Sequence, residues 1–447
     1  MARLFGTDGV RGIANEELTA ELAYNIGRAS AYILSEGKKG SMIVGRDTRI
    51  SGNMLEAAIV AGVTSTGIDI IEVGVLPTPS IAYLVRELNA LGGFVISASH
   101  NPGEYNGIKL FDNKGLKLPD EKEEEIEKYI LDIDKVESRP IGKDIGKSII
   151  YNKGKEDYKS YLKEIINIDL TGYKIALDCG NGALYKVAPE LFEELNATVY
   201  LINDNPDGMN INDNCGSTNP DLVSKLVLEK NADIGISFDG DGDRIIAVDE
   251  KGKIINGDHI LAVCSNHLKE RGKLKNNTVV GTIMTNMGLD EYLESKDMNI
   301  VKTQVGDRYI LEEMLEKDYS LGGEQSGHII FLDYNTTGDG LLTGLYLLKV
   351  MIDENKTLSA LSSSMKDFPQ VLINAKVNNS MKYNYLDNDV IRDEIERIEK
   401  LFHGKGRVVI RPSGTEPLVR VMIEGEDITL IEKVAKDLAK LIEDNIG

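Results

Sequence analysis

Ser41-Met42-Ile43-Val44, the helical segment Met54–Thr66 and Ile68-Asp69-Ile70-Ile71-Glu72-Val73 decide the fold class of this chain. A strand, a helix and a second strand follow one another. The alternation runs on through the helical Ser80–Leu88 to a strand at Phe94–Ser97. It returns in Lys174–Leu177, Leu184–Leu195, Thr198–Ile202, Asp221–Glu229 and Asp233–Phe238. A third round comprises Thr278–Ile283, Leu289–Ser295, Ile300–Gln304, Arg308–Lys317 and Ser320–Leu321. Strands separated by helices imply crossover connections and mainly parallel pairing. The expectation is an α/β fold of three similar mixed α/β domains with parallel-rich sheets, followed by a smaller α+β domain. That last unit reads as a strand at Val371–Val377, a helix at Asp389–Leu401, strands at Arg407–Arg411 and Leu418–Glu424, and a helix at Thr429–Asp444. Turn-rich and charged stretches place the domains at residues 1–148, 149–254, 255–367 and 368–447.

The 447 residues are 42% hydrophobic, enough for ordinary cores. With 72 acidic and 51 basic side chains the net charge is −21. That charge argues against a nucleic-acid partner. It also repels anions at long range, so a phosphate site must rely on local Arg, Lys or metal. No apolar run approaches the ~20 residues of a membrane span, so no membrane partner is expected. Met1–Gly6 lacks a signal-peptide apolar region. Cys179, Cys215 and Cys264 form neither an even set nor a Cys-x-x-Cys pair, which fits a reducing cytoplasm.

Two segments carry the chemistry. Ser99-His100-Asn101-Pro102 ends the apolar run Gly93–Ser97 and sets a hydroxyl at a strand tip; a helix cap or turn is its alternative. The loop continues through Gly103–Lys109, rich in Gly and amide side chains, and offers Lys109 as a proton-transfer group beside Ser99. A Ser-His pair adjacent in an extended loop is not a hydrolase dyad, because neighbouring side chains diverge. Asp239-Gly240-Asp241-Gly242-Asp243-Arg244 places carboxylates at alternate positions, where they face one side of an extended loop and can share a cation. The spacing also fits the start of an EF-hand, but Arg244 stands where that loop needs Gly, and the flanks read as strands. A solvated acidic turn is the other alternative. Arg411-Pro412-Ser413-Gly414-Thr415-Glu416-Pro417, between two strands, can aim N–H groups and hydroxyls at an anion, with Arg411 and Arg420 adding charge; a plain β-turn is its alternative. In Gly322–His328, Glu324 and Ser326 alternate and can meet sugar hydroxyls; a polar loop without a ligand is the alternative. Gly6–Gly12, with Arg11, and Gly45–Arg49 are weaker basic loops; Ser51 can cap the helix that follows the second.

Together these segments, in this order, resemble the α-D-phosphohexomutase family over nearly the whole chain. The resemblance implies four domains around a central cleft, each contributing one loop. It implies Ser99 as a phosphoserine and Asp239, Asp241 and Asp243 as ligands of one Mg²⁺ that also touches the Ser99 phosphate. His100, Lys109, Arg244 and His328 would line the reaction centre. Glu324 and Ser326 would hold sugar hydroxyls. Arg11, Arg411, Ser413, Gly414, Thr415 and Arg420 would bind the rest of the phosphosugar. The implied reaction interconverts glucosamine 6-phosphate and glucosamine 1-phosphate, with glucosamine or glucose 1,6-bisphosphate as intermediate and activator, and supplies amino sugar for cell-wall precursors. Glucose or mannose phosphates are the nearest alternative substrates, and a non-catalytic calcium-binding module is the alternative from another class. The implied partner is a small phosphosugar; the resemblance also admits a homodimer.

Overall fold

The computed structural model describes residues 4–6, 8–131, 139–413 and 417–447. Four sheets organise them. The first orders its strands Val10–Ile13, Tyr105–Asp112, Gly92–Ile96, Ser41–Arg46, Asp69–Val75 and Ser148–Ile150. The second runs Ile254–Ile255, Ile245–Asp249, Ile234–Phe238, Lys174–Asp178 and Thr198–Ile202. The third runs Asn299–Thr303, Thr278–Thr282, Leu321–Gly323 and Ile329–Phe331. The fourth places Leu418–Gly425 between Gln370–Lys376 and Gly406–Pro412, all antiparallel.

The first three sheets share one plan. In each, a central strand pairs in parallel with its two successors, and the last of these turns back into an antiparallel neighbour. The turning points are the segments Ser97–Glu104, Asp239–Arg244 and Glu324–His328. The three loops singled out in the sequence are therefore equivalent positions of a repeated unit. The fourth unit offers the same feature as a hairpin, between Pro412 and Leu418.

The strands leading into these turns are buried along their length: Gly92–Ile96 and Ile234–Phe238 have no exposed position. Helices cover both faces, which is why they read as continuous apolar runs rather than alternating ones. One apolar core extends through the first three units, from Ile43 and Val95 through Leu177 and Ile236 to Leu321 and Leu345. The C-terminal unit has its own, built from Val421, Ile423, Ile431, Leu438 and Ile398. Asp339 joins three segments: it caps the helix Gly340–Glu354 through Leu342 N–H, and it accepts from Tyr158 Oη at 2.8 Å and Asn335 Nδ2 at 3.0 Å.

Several expectations change. Gly103–Lys109 is not all loop, because Tyr105–Asp112 is a strand between Gly92–Ile96 and Val10–Ile13. Asn106-Gly107 reads as a turn, yet both faces of the strand are covered, which hides its period. Arg11 likewise lies on a strand, opposite Gly107. Two expected domain edges cut strands: Ser148–Ile150 still pairs on the first sheet and Ile254–Ile255 on the second. Both are short edge strands with exposed positions, so composition does not mark them. Ser51 makes no capping bond; its Oγ accepts from Asn106 Nδ2 at 2.9 Å.

The junction with the C-terminal unit holds a buried acid. Asp258 accepts from Asn286 N–H at 3.0 Å with one oxygen and has no partner for the other. Burial pushes its pKa up to about 7, helped by Glu424 and opposed by the Asn286 bond. A raised carboxylate pKa means the folded state holds the proton more tightly than the unfolded one. The associated stability is full below the ordinary carboxylate range and is lost as pH rises to about 7. Asp258→Asn is therefore expected to gain stability relative to the parent between pH 5 and pH 8, read from denaturant midpoints. A gap that stays constant over that range contradicts the assignment.

Candidate functional site

Ser99 sits at the first turning point with φ 52°, a left-handed conformation that is costly for a residue with a side chain. The surroundings hold it there. Its N–H donates to Ser97 Oγ at 3.0 Å, and its carbonyl accepts from Asn212 Nδ2 at 2.9 Å and Arg49 Nη2 at 3.1 Å. Arg49, 1% exposed, also donates to the carbonyls of Asn101, Tyr105 and Pro102, while Asp47 fixes its Nε at 2.9 Å. Asp47 in turn accepts from Ser97 Oγ at 2.6 Å. One buried arginine thus gathers the carbonyls of the whole serine loop.

The Asp239 loop meets this turn from the second unit. Ser99 Oγ donates to Asp239 Oδ2 at 2.6 Å. A Cβ added at Gly240 would lie 2.6 Å from the Ser99 carbonyl oxygen, so only glycine permits the approach. Asp239, Asp241 and Asp243 are buried, with ligand oxygens all within 4.8 Å of one another. Their flanks are the antiparallel strands Ile234–Phe238 and Ile245–Asp249, which removes the EF-hand alternative.

Three buried carboxylates at this spacing repel one another, and the pKa values of Asp239 and Asp243 move apart. Burial and then the charges of Asp243 and Asp241 push Asp239 well up. Burial works the same way on Asp243, but Lys109, His328 and Arg244 hold it well below the usual carboxylate range. Lys109 Nζ lies 2.8 Å from Asp241, 3.2 Å from Asp243 and 3.1 Å from Asp8. These carboxylates outweigh its burial and keep Lys109 protonated. It brings a positive charge to the carboxylates beside Ser99. Thr78 Oγ1 adds a bond to Asp241 at 2.6 Å.

Even so, Asp241 Oδ1 and Asp243 Oδ1 are buried without a hydrogen-bond partner. Orphaned anionic oxygens are costly, and an oxygen-only donor set of three carboxylates suits a hard divalent cation. The residues therefore fit a magnesium ion.

His100 Nδ1 stands 3.3 Å from Arg244 Nη1 and 3.4 Å from Ser99 Oγ. Burial, then the charges of Arg244 and Arg11, lower its pKa to about 4, so it is neutral near pH 7. With the Ser99 proton directed at Asp239, the adjacent Ser and His do not form a hydrolase dyad.

The third unit closes the other side. Arg244 bridges to His328 through the backbone, and Ile245 N–H donates to Gly327 O at 3.1 Å. His328 lies 3.7 Å from Asp243 and 3.4 Å from Asp307. Burial lowers its pKa, but those two carboxylates raise it by more. Gly338 N–H, donating to Nε2 at 3.0 Å, pulls the other way and favours a hydrogen on Nδ1. A Cβ at Gly338 would sit 2.5 Å from the ring, so the imidazole is packed against bare backbone. Glu324 accepts from Gly306 N–H at 3.2 Å and from Ser326 Oγ at 3.4 Å, and Ser326 is exposed.

In the fourth unit Arg411 and Arg420 are direct cross-strand partners. Like charges so placed are unfavourable unless an anion is shared. Burial and then Arg420 depress the pKa of Arg411, while Glu324 opposes them. Arg411 Nε is buried without a partner. Ser413 is buried beside them, with its N–H on Leu418 O. Gly414 and Thr415 lie outside the described residues.

Sequence reasoning missed a half-buried network joining the first and third units. Asp8 pairs with Arg11, Lys109 and Lys117, and Lys117 also pairs with Asp307, which faces His328. Asp8 lay inside a quoted loop and Arg49 inside another. Lys117 and Asp307 carry no spacing signal; only the fold brings them together.

Comparison with known proteins agrees with this arrangement. The chain matches all four phosphoglucomutase/phosphomannomutase domains: alpha/beta/alpha domain I over residues 2–137, domain II over 156–252, domain III over 256–368 and the C-terminal domain over 372–441. It is 57% identical over 449 residues to a phosphoglucosamine mutase of Alkaliphilus oremlandii, covering 100% of both chains. It is also 57% identical over 444 residues to one of Clostridium acetobutylicum, covering 99% of each. A phosphoglucomutase/phosphomannomutase family protein from Burkholderia thailandensis shares the fold with a TM-score of 0.84 at 24% identity, over 100% of this chain and 98% of that one. An Aspergillus fumigatus N-acetylphosphoglucosamine mutase, solved with GlcNAc-6P and magnesium, shares it at 0.70 and 18%, over 99% and 95%. With every domain matched and relatives above half identity along its full length, the chain belongs to the phosphoglucomutase/phosphomannomutase family.

Proposed function

We propose that this chain interconverts glucosamine 6-phosphate and glucosamine 1-phosphate through a phosphoserine at Ser99. The observation that carries the reading is Ser99 Oγ held 2.6 Å from a buried carboxylate trio in a chain whose full-length relatives are named phosphoglucosamine mutase. A sugar hydroxyl oxygen attacks the phosphorus of phosphoserine. The new P–O bond to the sugar forms as the bond to Ser99 Oγ breaks, and the hydroxyl's proton ends on the freed Ser99 Oγ. The product is a 1,6-bisphosphate, which turns in the cleft and returns its other phosphoryl group to Ser99. Ser99 is then the nucleophile, and its proton, which points at Asp239 Oδ2, ends on the sugar oxygen that leaves.

Positioning and charge do most of the work in such a transfer. Lys109 and Arg244 bring fixed positive charge to the transferring group. Glu324 and Ser326 face the sugar. Arg11, Arg411, Arg420 and the Ser413 turn, continued by Gly414 and Thr415, grip the phosphate that is not reacting. Asp239, Asp241 and Asp243 would hold one Mg²⁺ per subunit, which when bound neutralises charge on phosphoryl oxygens. A distal clamp on a unit with its own core suits an intermediate that must be released and regripped at its other end. The product would feed UDP-N-acetylglucosamine synthesis. Glucosamine or glucose 1,6-bisphosphate would keep Ser99 charged.

Purified protein assayed with glucosamine, glucose and mannose phosphates is expected to turn over glucosamine phosphate with the highest kcat/KM. Ser99→Ala should keep its fold and lose nearly all turnover. Preference for glucose or mannose phosphate overturns the substrate assignment, and full activity in Ser99→Ala overturns the mechanism.

The sugar and phosphate loops are separable. Arg420→Ala should weaken every phosphosugar alike, by the ~1.5–3 kcal/mol of a charged hydrogen bond. Glu324→Gln should shift the ratio of glucosamine to glucose phosphate in kcat/KM. A shifted ratio in Arg420→Ala with an unchanged one in Glu324→Gln reverses the two assignments.

A further inference from the structure

A cavity of about 730 Å³ opens on the first unit, far from the serine loop. It lies where the chain enters the parallel strands: Lys38 and Lys39 precede Ser41–Arg46, and Ser65–Ile68 precede Asp69–Val75. Ser99 follows the opposite ends of the same sheet. A six-residue strand puts roughly 16 Å between the two ends.

The lining is positive in a chain of net charge −21. Lys38 pairs with Glu36, Lys39 with Asp144 and Lys122 with Glu125, which neutralises the three carboxylates on its wall. Arg28 and Arg139 remain. Arg28 is only 3% exposed, yet it has neither a hydrogen bond nor a carboxylate partner among the described residues. A buried guanidinium is normally paired, because its desolvation is otherwise uncompensated. Beside it, Tyr129 Oη is also buried with no partner. Tyr129 stacks on Tyr32 with ring centroids 4.9 Å apart, and Tyr32 remains 56% exposed, so it has an open face for another ring.

We propose that this cavity binds a nucleotide, with phosphate oxygens on Arg28, Tyr129 Oη and Arg139 and the base on the open face of Tyr32. An unpaired arginine is suited to a phosphate, an aromatic face to a base, and the volume to a ligand of nucleotide size. None of these groups belongs to the catalytic cleft, so the site is a second one, where a nucleotide would act on the enzyme from a distance.

Calorimetric titration of the intact protein with ADP, UDP and inorganic phosphate tests this, alongside Arg28→Met and Arg139→Ala. Saturable binding of ADP or UDP is expected, with inorganic phosphate weaker because it cannot stack. Both variants should weaken the nucleotide by about tenfold or more, the effect of losing a charged hydrogen bond. Their turnover of phosphosugar without nucleotide should match the parent. Without ligand, Arg28→Met should unfold at or above the parent midpoint, since it removes an unpaired buried charge. No saturable binding at millimolar nucleotide overturns the site. So does unaltered affinity in both variants, which places the nucleotide in the catalytic cleft. Equal affinity for phosphate and nucleotide overturns the nucleotide assignment. A lower midpoint for Arg28→Met shows that the arginine is already satisfied and overturns the argument.

Discussion

Three carboxylates buried within 4.8 Å of one another are a configuration that a folded protein cannot leave uncompensated. Much of the surrounding structure answers that demand. Lys109 is withdrawn from solvent to lie against Asp241 and Asp243. Thr78, Arg244 N–H and the Ser99 hydroxyl each donate to the cluster. The compensation is still incomplete, because two carboxylate oxygens remain without a partner. A divalent cation beside Ser99 would complete it.

The fold delivers these groups by repetition. The first three units each end their parallel strands in a turn back to an antiparallel neighbour, and these turns carry Ser99, the Asp239–Asp243 loop, and Glu324 with His328. Each turn is held by ordinary local chemistry: Arg49 gathers the carbonyls of the first, Gly240 admits the first to the second, and bare backbone at Gly338 receives His328 in the third. The fourth unit differs in architecture and has a separate core, and it presents a facing arginine pair rather than an acid or nucleophile. Its polar junction, with Asp258, Asn286, Arg407 and Glu424, contrasts with the continuous apolar core joining the other three.

Much of this was legible in the amino-acid order. Alternating apolar runs and helical segments announced parallel-rich sheets, because fully covered strands must be apolar throughout. The Asp239–Asp243 spacing announced three carboxylates gathered in one cluster, because alternation in an extended segment puts side chains on one side. Tyr105–Asp112 was hidden by a turn-like Asn106-Gly107 and by cover on both faces. The partners that set the charge state of Lys109 were not legible, because Asp8 and Asp241 are remote from it in sequence. The link from Asp8 through Lys117 to Asp307 was illegible for the same reason. Long-range pairs between units have no period to betray them.

The most direct test of the central claim is thermal unfolding of the parent, Asp241→Asn and Asp243→Asn across a magnesium titration, with a chelator baseline. An ion bound only by the folded state raises the midpoint with its concentration. The account predicts a saturable rise in the parent that chelator reverses and that both variants lose. A parent midpoint indifferent to magnesium, or an equal rise in all three proteins, would contradict it.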